Sequence, residues 1–199
     1  MSIREKIETI VLEVLSGPGR SSRFREQIIA GAGIEPGIKV LDMATAVGGM
    51  AFAAREKTDR VTAIDISEER IKRARDDLRA DGINFMVMSA THTSFSDKEF
   101  DVTLIVLGLH EMTVEEARKA LKEARRISKR LVVMEFGISQ WPLFWRLFRY
   151  PLAAFEPRVF FDFTRQNVNA MIKGSGWIIA KETASFPFVT YICAAPNRE

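Results

Sequence analysis

Between residues 39 and 136 the chain alternates short apolar runs with helically patterned segments, and this alternation narrows its possible folds more than any other feature. The runs are KVLDMA (Lys39 to Ala44), RVTAID (Arg60 to Asp65), INFMVM (Ile83 to Met88), FDVTLIVLG (Phe100 to Gly108) and RLVVMEF (Arg130 to Phe136). Such runs are the pattern of strands buried on both faces of a parallel sheet. Helices are predicted between them around Ala51 to Lys57, from Ser67 to a C-cap at Gly82, and over Thr113 to Ser128, where Thr113 and Glu116 have capping-box spacing. A short link precedes the fourth strand. Strands alternating with helices imply right-handed parallel crossovers. Ligands on such sheets bind beyond the carboxyl ends of the strands, here after Asp42, Asp65, Val106 and Glu135.

The flanks read differently. Ile3, Ile7, Ile10, Val11 and Val14 recur at helical spacing, so residues 1–15 predict an amphipathic helix, neither a signal peptide nor a membrane span. SGPGRSS breaks it, and a second helix runs from about Phe24 to Ala32. Together residues 1–32 form an expected N-terminal helical cap. Residues 139–163 are rich in Phe and Trp, with Arg146, Arg149 and Arg158 interleaved. This is the candidate lid over a substrate, and its arginines suit an anionic or membrane surface; the plainer reading is that its aromatics fill the core. A helix from Thr164 to Lys173 follows, and WIIAKETASF and FVTYICAA then read as an antiparallel hairpin joined at Pro187. The sum is a single α/β domain over residues 1–199, with a mostly parallel seven-stranded sheet, helices on both faces and a C-terminal antiparallel hairpin.

With 199 residues, 47% of them apolar, the chain can bury one sizeable core. A net charge of +3 gives composition no reason to invoke nucleic acid. Cys193 is the one cysteine, read as a small buried residue in a late strand, and the absence of an internal disulfide suits a cytoplasmic setting. With His92 and His110 as the only histidines, no metal-ligand cluster is visible. His92 reads as a surface-loop residue. Arg70 to Arg79 alternate with acidic residues and read as a solvated face.

The loop after the first strand offers Ala44, Ala46, Gly48 and Gly49, all small, as a turn must if a helix N-terminus and bare backbone are to approach a nucleotide-like ligand. Asp65, about 20 residues beyond Asp42, is placed to accept both ribose hydroxyls, or else to cap the next helix. NAD and S-adenosylmethionine sites share this layout, and the loop alone leaves both open.

The surrounding strings carry a resemblance. VLDMATAVGGMA resembles the first motif of class I methyltransferases and is most similar to the ubiquinone and menaquinone biosynthesis C-methyltransferases, whose motif runs VLD-x-A-x-G-T-G-D. FDVTLIVLGLHEM resembles that family's FD-x-V-T-x-x-x-GLRN segment, LVVMEFGISQWP its LVLEFS-x-P segment, and LSGPGRSSRFR, loosely, its LS-x-G-x-HR-x-W segment. The likeness spans about Leu15 to Trp177. The chain departs from the pattern at Ala46 for Gly, Val47 for Thr, Gly49 for Asp, and His110-Glu111 for Arg-Asn; the usual Lys-Pro-Gly-Gly turn before the fifth strand is missing.

The resemblance implies a Rossmann-like class I methyltransferase fold with S-adenosyl-L-methionine as cofactor and a small, quinone- or lipid-like acceptor. It implies that Ala44, Ala46, Val47 and Gly48 line the methionine part, Asp65 the ribose, Ser89 and Ala90 the adenine, and Val106 the sulfonium side, with Asp42 and Ile66 beside them. His110 is expected to act as general base, oriented by Glu111 or Glu135, because its ordinary pKa suits proton removal at neutral pH; the plainer reading makes it a helix cap. Peripheral membrane contact and a homodimer are the further partner expectations. The rivals are a phospholipid N-methyltransferase, an NAD-binding oxidoreductase, and a non-catalytic protein on a methyltransferase fold. An arsenite methyltransferase would need several thiolates, and the chain has one cysteine.

Overall fold

The computed structural model describes residues 20–137, 143, 158–186 and 188–196. Among the described residues, seven strands form one sheet in the order β3-β2-β1-β4-β5-β7-β6. They are β1 (Val40–Met43), β2 (Val61–Asp65), β3 (Ile83–Val87), β4 (Phe100–Val106), β5 (Ser128–Phe136), β6 (Ile178–Ser185) and β7 (Phe188–Ala194). The first five are mutually parallel. β7 lies antiparallel to β5, and β6 antiparallel to β7. The alternation read from the sequence therefore becomes a doubly wound sheet closed by a C-terminal hairpin.

Alternate residues of each strand serve opposite faces, as strand geometry requires. Leu41, Met43, Ile64, Ile105, Leu131 and Val133 face one core with helix α4 (Val114–Ile127) and helix α6 (Val168–Gly174). Val40, Val61, Ala63, Leu104, Val132 and Met134 face the other, with helices α1 (Arg20–Gly31), α2 (Gly49–Arg55) and α3 (Glu68–Arg75). Helix α4 buries Ala117, Ala120, Leu121, Ala124 and Ile127 along one stripe, and Thr113 and Glu116 close a full capping box at its start. Truncating a side chain as enclosed as Leu121 costs about 2–5 kcal/mol in such cores. Cys193 is buried in β7, and burial pushes its thiol up to about 12, so it behaves as an apolar filler.

Several boundaries differ from the sequence reading. The helix that Ser67 caps stops at Arg75 instead of reaching Gly82. Asp77 accepts hydrogen bonds from the backbone and guanidinium of Arg79, a local turn that competes with helix, and Leu78 is fully exposed. Strand β4 ends at Val106, not Gly108, because Leu107 turns into positive φ. The helix expected over Thr164 to Lys173 starts only at Val168, as α6, since the Asn167 side chain accepts from the Ala170 N–H and caps it; a separate helix, α5 (Arg158–Thr164), occupies the end of the segment read as a lid. Helix α1 begins at Arg20, four residues ahead of its expected start. The helix expected over 1–15 lies outside the described residues, as does the aromatic segment from 139 to 157 apart from 143. At the end of that segment, Phe160 and Phe163 are buried. Among the described residues no helix is long and apolar enough to cross a membrane.

Candidate active site

In the sheet, β1 lies between β2 and β4, so the chain leaves β1 toward one side and later crosses to the other. This switch point opens a crevice at the carboxyl ends of β1, β2 and β4. The loop after β1 supplies its floor. Ala44 and Ala46 both adopt left-handed backbone (φ 61° and 50°), and Gly48 does too (φ 89°). A Cβ on Gly48 would sit 2.7 Å from the Phe52 ring, so glycine is required there. A Cβ on Gly108, just past β4, would sit 2.8 Å from the Ala44 Cβ. The loops of β1 and β4 thus meet in direct contact.

Two carboxylates organise this floor. Asp42 is buried at 2% exposure; its Oδ2 accepts from the Thr45 hydroxyl and from the Ala51 N–H at 3.0 Å. Burial raises its pKa to about 6, against the pull of those hydrogen bonds and with a smaller push from the Asp65 charge. Through these bonds the Asp42 carboxyl ties the loop to helix α2. Asp65 accepts from the Ala46 N–H at 2.9 Å with Oδ2 and from the Ser67 N–H at 2.9 Å with Oδ1. The two expectations for Asp65 coexist physically, because each carboxylate oxygen accepts more than one hydrogen bond. Around this floor, Val47 and Ile66 are 49% and 76% exposed, and Val106 is half-buried. Apolar side chains held open at a strand-end crevice suit the flat face of a purine. Ser89 Oγ lies 2.9 Å from Thr91 Oγ1 and accepts from the Thr91 N–H, while Ala90 is buried in the core.

The other wall comes from the turn after β4, a short 3-10 segment (Leu109–Glu111). Glu135, wholly buried at the end of β5, takes the Leu109 N–H at 2.9 Å and the His110 N–H at 3.3 Å on one oxygen. Its other oxygen lies 2.9 Å from His110 Nδ1. A carboxylate only accepts, so in this contact Nδ1 is the donor, and in the neutral tautomer that matches it Nε2 is the basic nitrogen. Phe136 and Phe160 meet the His110 ring edge-on at 5.1 and 5.6 Å, which fixes its plane.

Of the two carboxylates considered for orienting His110, Glu135 is the one in contact. Glu111 turns away and forms a double hydrogen bond with Arg70, at 2.6 and 3.2 Å. Arg70, assigned from sequence to a solvated face, is therefore part of the crevice rim, with Nη1 4.0 Å from Asp65 Oδ2. Its signal was its place in the first turn of the helix after Asp65. Glu135 was signalled by a charge closing an otherwise apolar run. Among the described residues, no group of three or more His, Cys, Asp or Glu is placed to hold a metal ion. The small loop, the paired acceptors of Asp65 and the open apolar edge of Val47 and Ile66 fit a nucleoside.

Comparison with known proteins agrees with this geometry. Residues 40–130 match a methyltransferase domain family. The chain is 37% identical over 139 residues to the ubiquinone/menaquinone biosynthesis C-methyltransferase UbiE of Paraburkholderia phymatum, covering 66% of this chain and 56% of that protein. It is 35% identical over 140 residues to the demethylmenaquinone methyltransferase of Paenarthrobacter aurescens, covering 69% and 53%. The chain thus spans about half the length of the curated relatives it matches. Among solved structures, a SAM-dependent methyltransferase from Aquifex aeolicus superimposes with a TM-score of 0.69 at 16% identity, covering 97% of this chain and 98% of that one. A protein from Pyrococcus horikoshii also gives 0.69, at 19% identity, with 91% and 93% covered. Sheet order and strand-end crevice agree with this likeness: residues 40–130 match a methyltransferase domain, and the chain has the fold of the solved SAM-dependent methyltransferase it superimposes on.

Proposed function

We propose that this chain methylates a small, lipophilic acceptor bearing an acidic hydroxyl, such as a quinol- or phenol-like ring, with His110 as the general base. The observation that carries this reading is the His110–Glu135 pair beside the floor of the crevice. Ala44, Ala46, Val47 and Gly48 would cradle the methionine part of the cofactor, Asp65 the ribose, Ile66, Ser89 and Ala90 the adenine, and Val106 the sulfonium side. When bound, S-adenosylmethionine supplies an electrophilic methyl group that a nucleophile attacks in line. The remaining work falls to the chain. Nε2 of His110 takes the acceptor's hydroxyl proton, and the Glu135 carboxylate stabilises the imidazolium that results, the role an acidic residue plays beside a catalytic histidine. Phe136 and Phe160 keep the ring in the plane that presents Nε2. The names of the two quinone-pathway relatives support an aromatic ring acceptor.

The test is turnover of wild type and His110→Ala with a panel of quinols and phenols. Retained turnover in the variant would remove the base assignment. Calorimetric titration with S-adenosylhomocysteine, with NAD as control, tests the cofactor residues.

One observation favours the non-catalytic rival: two alanines occupy left-handed backbone in the cofactor loop, and Ala46 donates its N–H to Asp65. Failure of wild type to bind S-adenosylhomocysteine would give that rival the lead.

A further inference from the structure

Arg70 and Glu111 belong to different walls of the crevice. Arg70 lies in the first turn of α3, which follows β2, and Glu111 ends the 3-10 turn that follows β4. Strand β1 and its loop lie between β2 and β4, so a contact joining the two walls must cross the carboxyl end of β1. The contact is a doubly hydrogen-bonded ion pair, the strong planar form of an arginine–carboxylate bond. On one side it stands 4.0 Å from the Asp65 carboxylate, and on the other it adjoins His110 in sequence. Both side chains are about a third exposed, so they form the rim of the crevice and not its floor.

We propose that the Arg70–Glu111 pair is a clasp across the cofactor crevice, and that its opening governs how fast cofactor enters and product leaves. The inference rests on the assignment of Asp65 and the β1 loop to the cofactor. Since the clasp joins protein to protein, it closes over an empty crevice and a filled one alike. It therefore slows entry and exit together and leaves affinity almost unchanged. A partly exposed ion pair of this kind is worth at most about 1 kcal/mol, which corresponds to about a fivefold effect on exchange. Screening by salt weakens exposed pairs, so the clasp loosens as ionic strength rises.

The experiment measures association and dissociation rates of S-adenosylhomocysteine on the full chain by surface plasmon resonance, at low and high salt. Glu111→Gln and Glu111→Ala are each expected to raise both rates about fivefold with little change in Kd. Dissociation from wild type should quicken with salt, and dissociation from either variant should not. Rates within twofold of wild type, with the same salt dependence, would overturn the clasp while leaving the cofactor reading intact. Absence of any S-adenosylhomocysteine binding by wild type would overturn both.

Discussion

The two walls of the crevice are built on opposite principles. On the β1–β2 side the backbone is under strain and charge is buried against its preference: alanines sit in left-handed conformation, and Asp42 is held with its pKa raised. On the β4–β5 side the buried charge is satisfied, with Glu135 receiving the Leu109 and His110 N–H groups and the imidazole. Strain and satisfaction do different jobs. Under the proposed function the strained wall receives and releases a large ligand, which a conformation held at some cost suits, and the satisfied wall moves one proton, which fixed geometry suits.

The largest effect should come from the satisfied wall. His110→Ala should lower turnover by about 10²–10⁴, the usual weight of a general base, while S-adenosylhomocysteine still binds. Glu135→Gln should lower turnover as well, because the amide is a poor partner for an imidazolium, and it should disturb the turn because a carboxylate that served as pure acceptor is gone. If Glu135→Gln matches wild type in kcat and in its pH profile, the contrast between the walls fails on its catalytic side.

The buried carboxyl of the strained wall should produce the next effect, and its sign is fixed. The folded-state pKa of Asp42, about 6, exceeds the value of 3.8 for an unperturbed aspartate. The folded protein therefore binds the proton more tightly than the unfolded chain, and stability falls as pH rises from below 4 through 6. A shift of about two units corresponds to about 3 kcal/mol. Asp42→Asn carries no such titration, so wild type should lose about 3 kcal/mol relative to it between pH 3 and pH 7 in denaturant unfolding. A difference that stays constant over that range would show Asp42 to be ordinary, and the strained wall would lose half its description.

How much of this contrast can be read from the sequence divides along the same line. The five parallel strands are legible because strands covered on both faces leave continuous apolar runs, and LVVMEF or FDVTLIV has no other economical burial. The loop's small residues and Asp65 are legible through motif likeness. What escapes is anything decided by distance in space. Glu111 is adjacent to His110 in sequence and Glu135 is 25 residues away, yet Glu135 holds the ring because β5 runs beside β4 in parallel register. Arg70 reads as one of several surface arginines until the sheet brings its helix within reach of a residue 41 positions on. The inward aim of Asp42 is equally hidden, since it depends on how the loop folds back onto the N–H of Ala51.

Asp65 links the two descriptions and should give a middle-sized effect on binding. Its oxygens accept the Ala46 and Ser67 N–H groups in the structure and are the candidate partners of the ribose hydroxyls. Charge-assisted hydrogen bonds contribute about 1.5–3 kcal/mol, so Asp65→Asn should weaken S-adenosylhomocysteine about 10- to 100-fold by calorimetry. Affinity within threefold of wild type would confine Asp65 to loop architecture.

The smallest effect concerns the strain itself. A left-handed alanine costs about 1–2 kcal/mol relative to a conformation it prefers. Glycine at that position removes the cost but adds freedom to the unfolded chain, which offsets about 0.4–1 kcal/mol. Ala46→Gly should therefore stabilise the fold by a net amount of about 0.5–1 kcal/mol, or about 2–4 °C in Tm per kcal/mol for a chain of this size. The control is Ala53→Gly in helix α2, where the same exchange should destabilise by about 1 kcal/mol. Opposite signs for one chemical change at two positions seven residues apart would locate strain in the loop specifically. If both variants lose stability equally, Ala46 is not strained, and the difference between the walls reduces to the buried charge of Asp42.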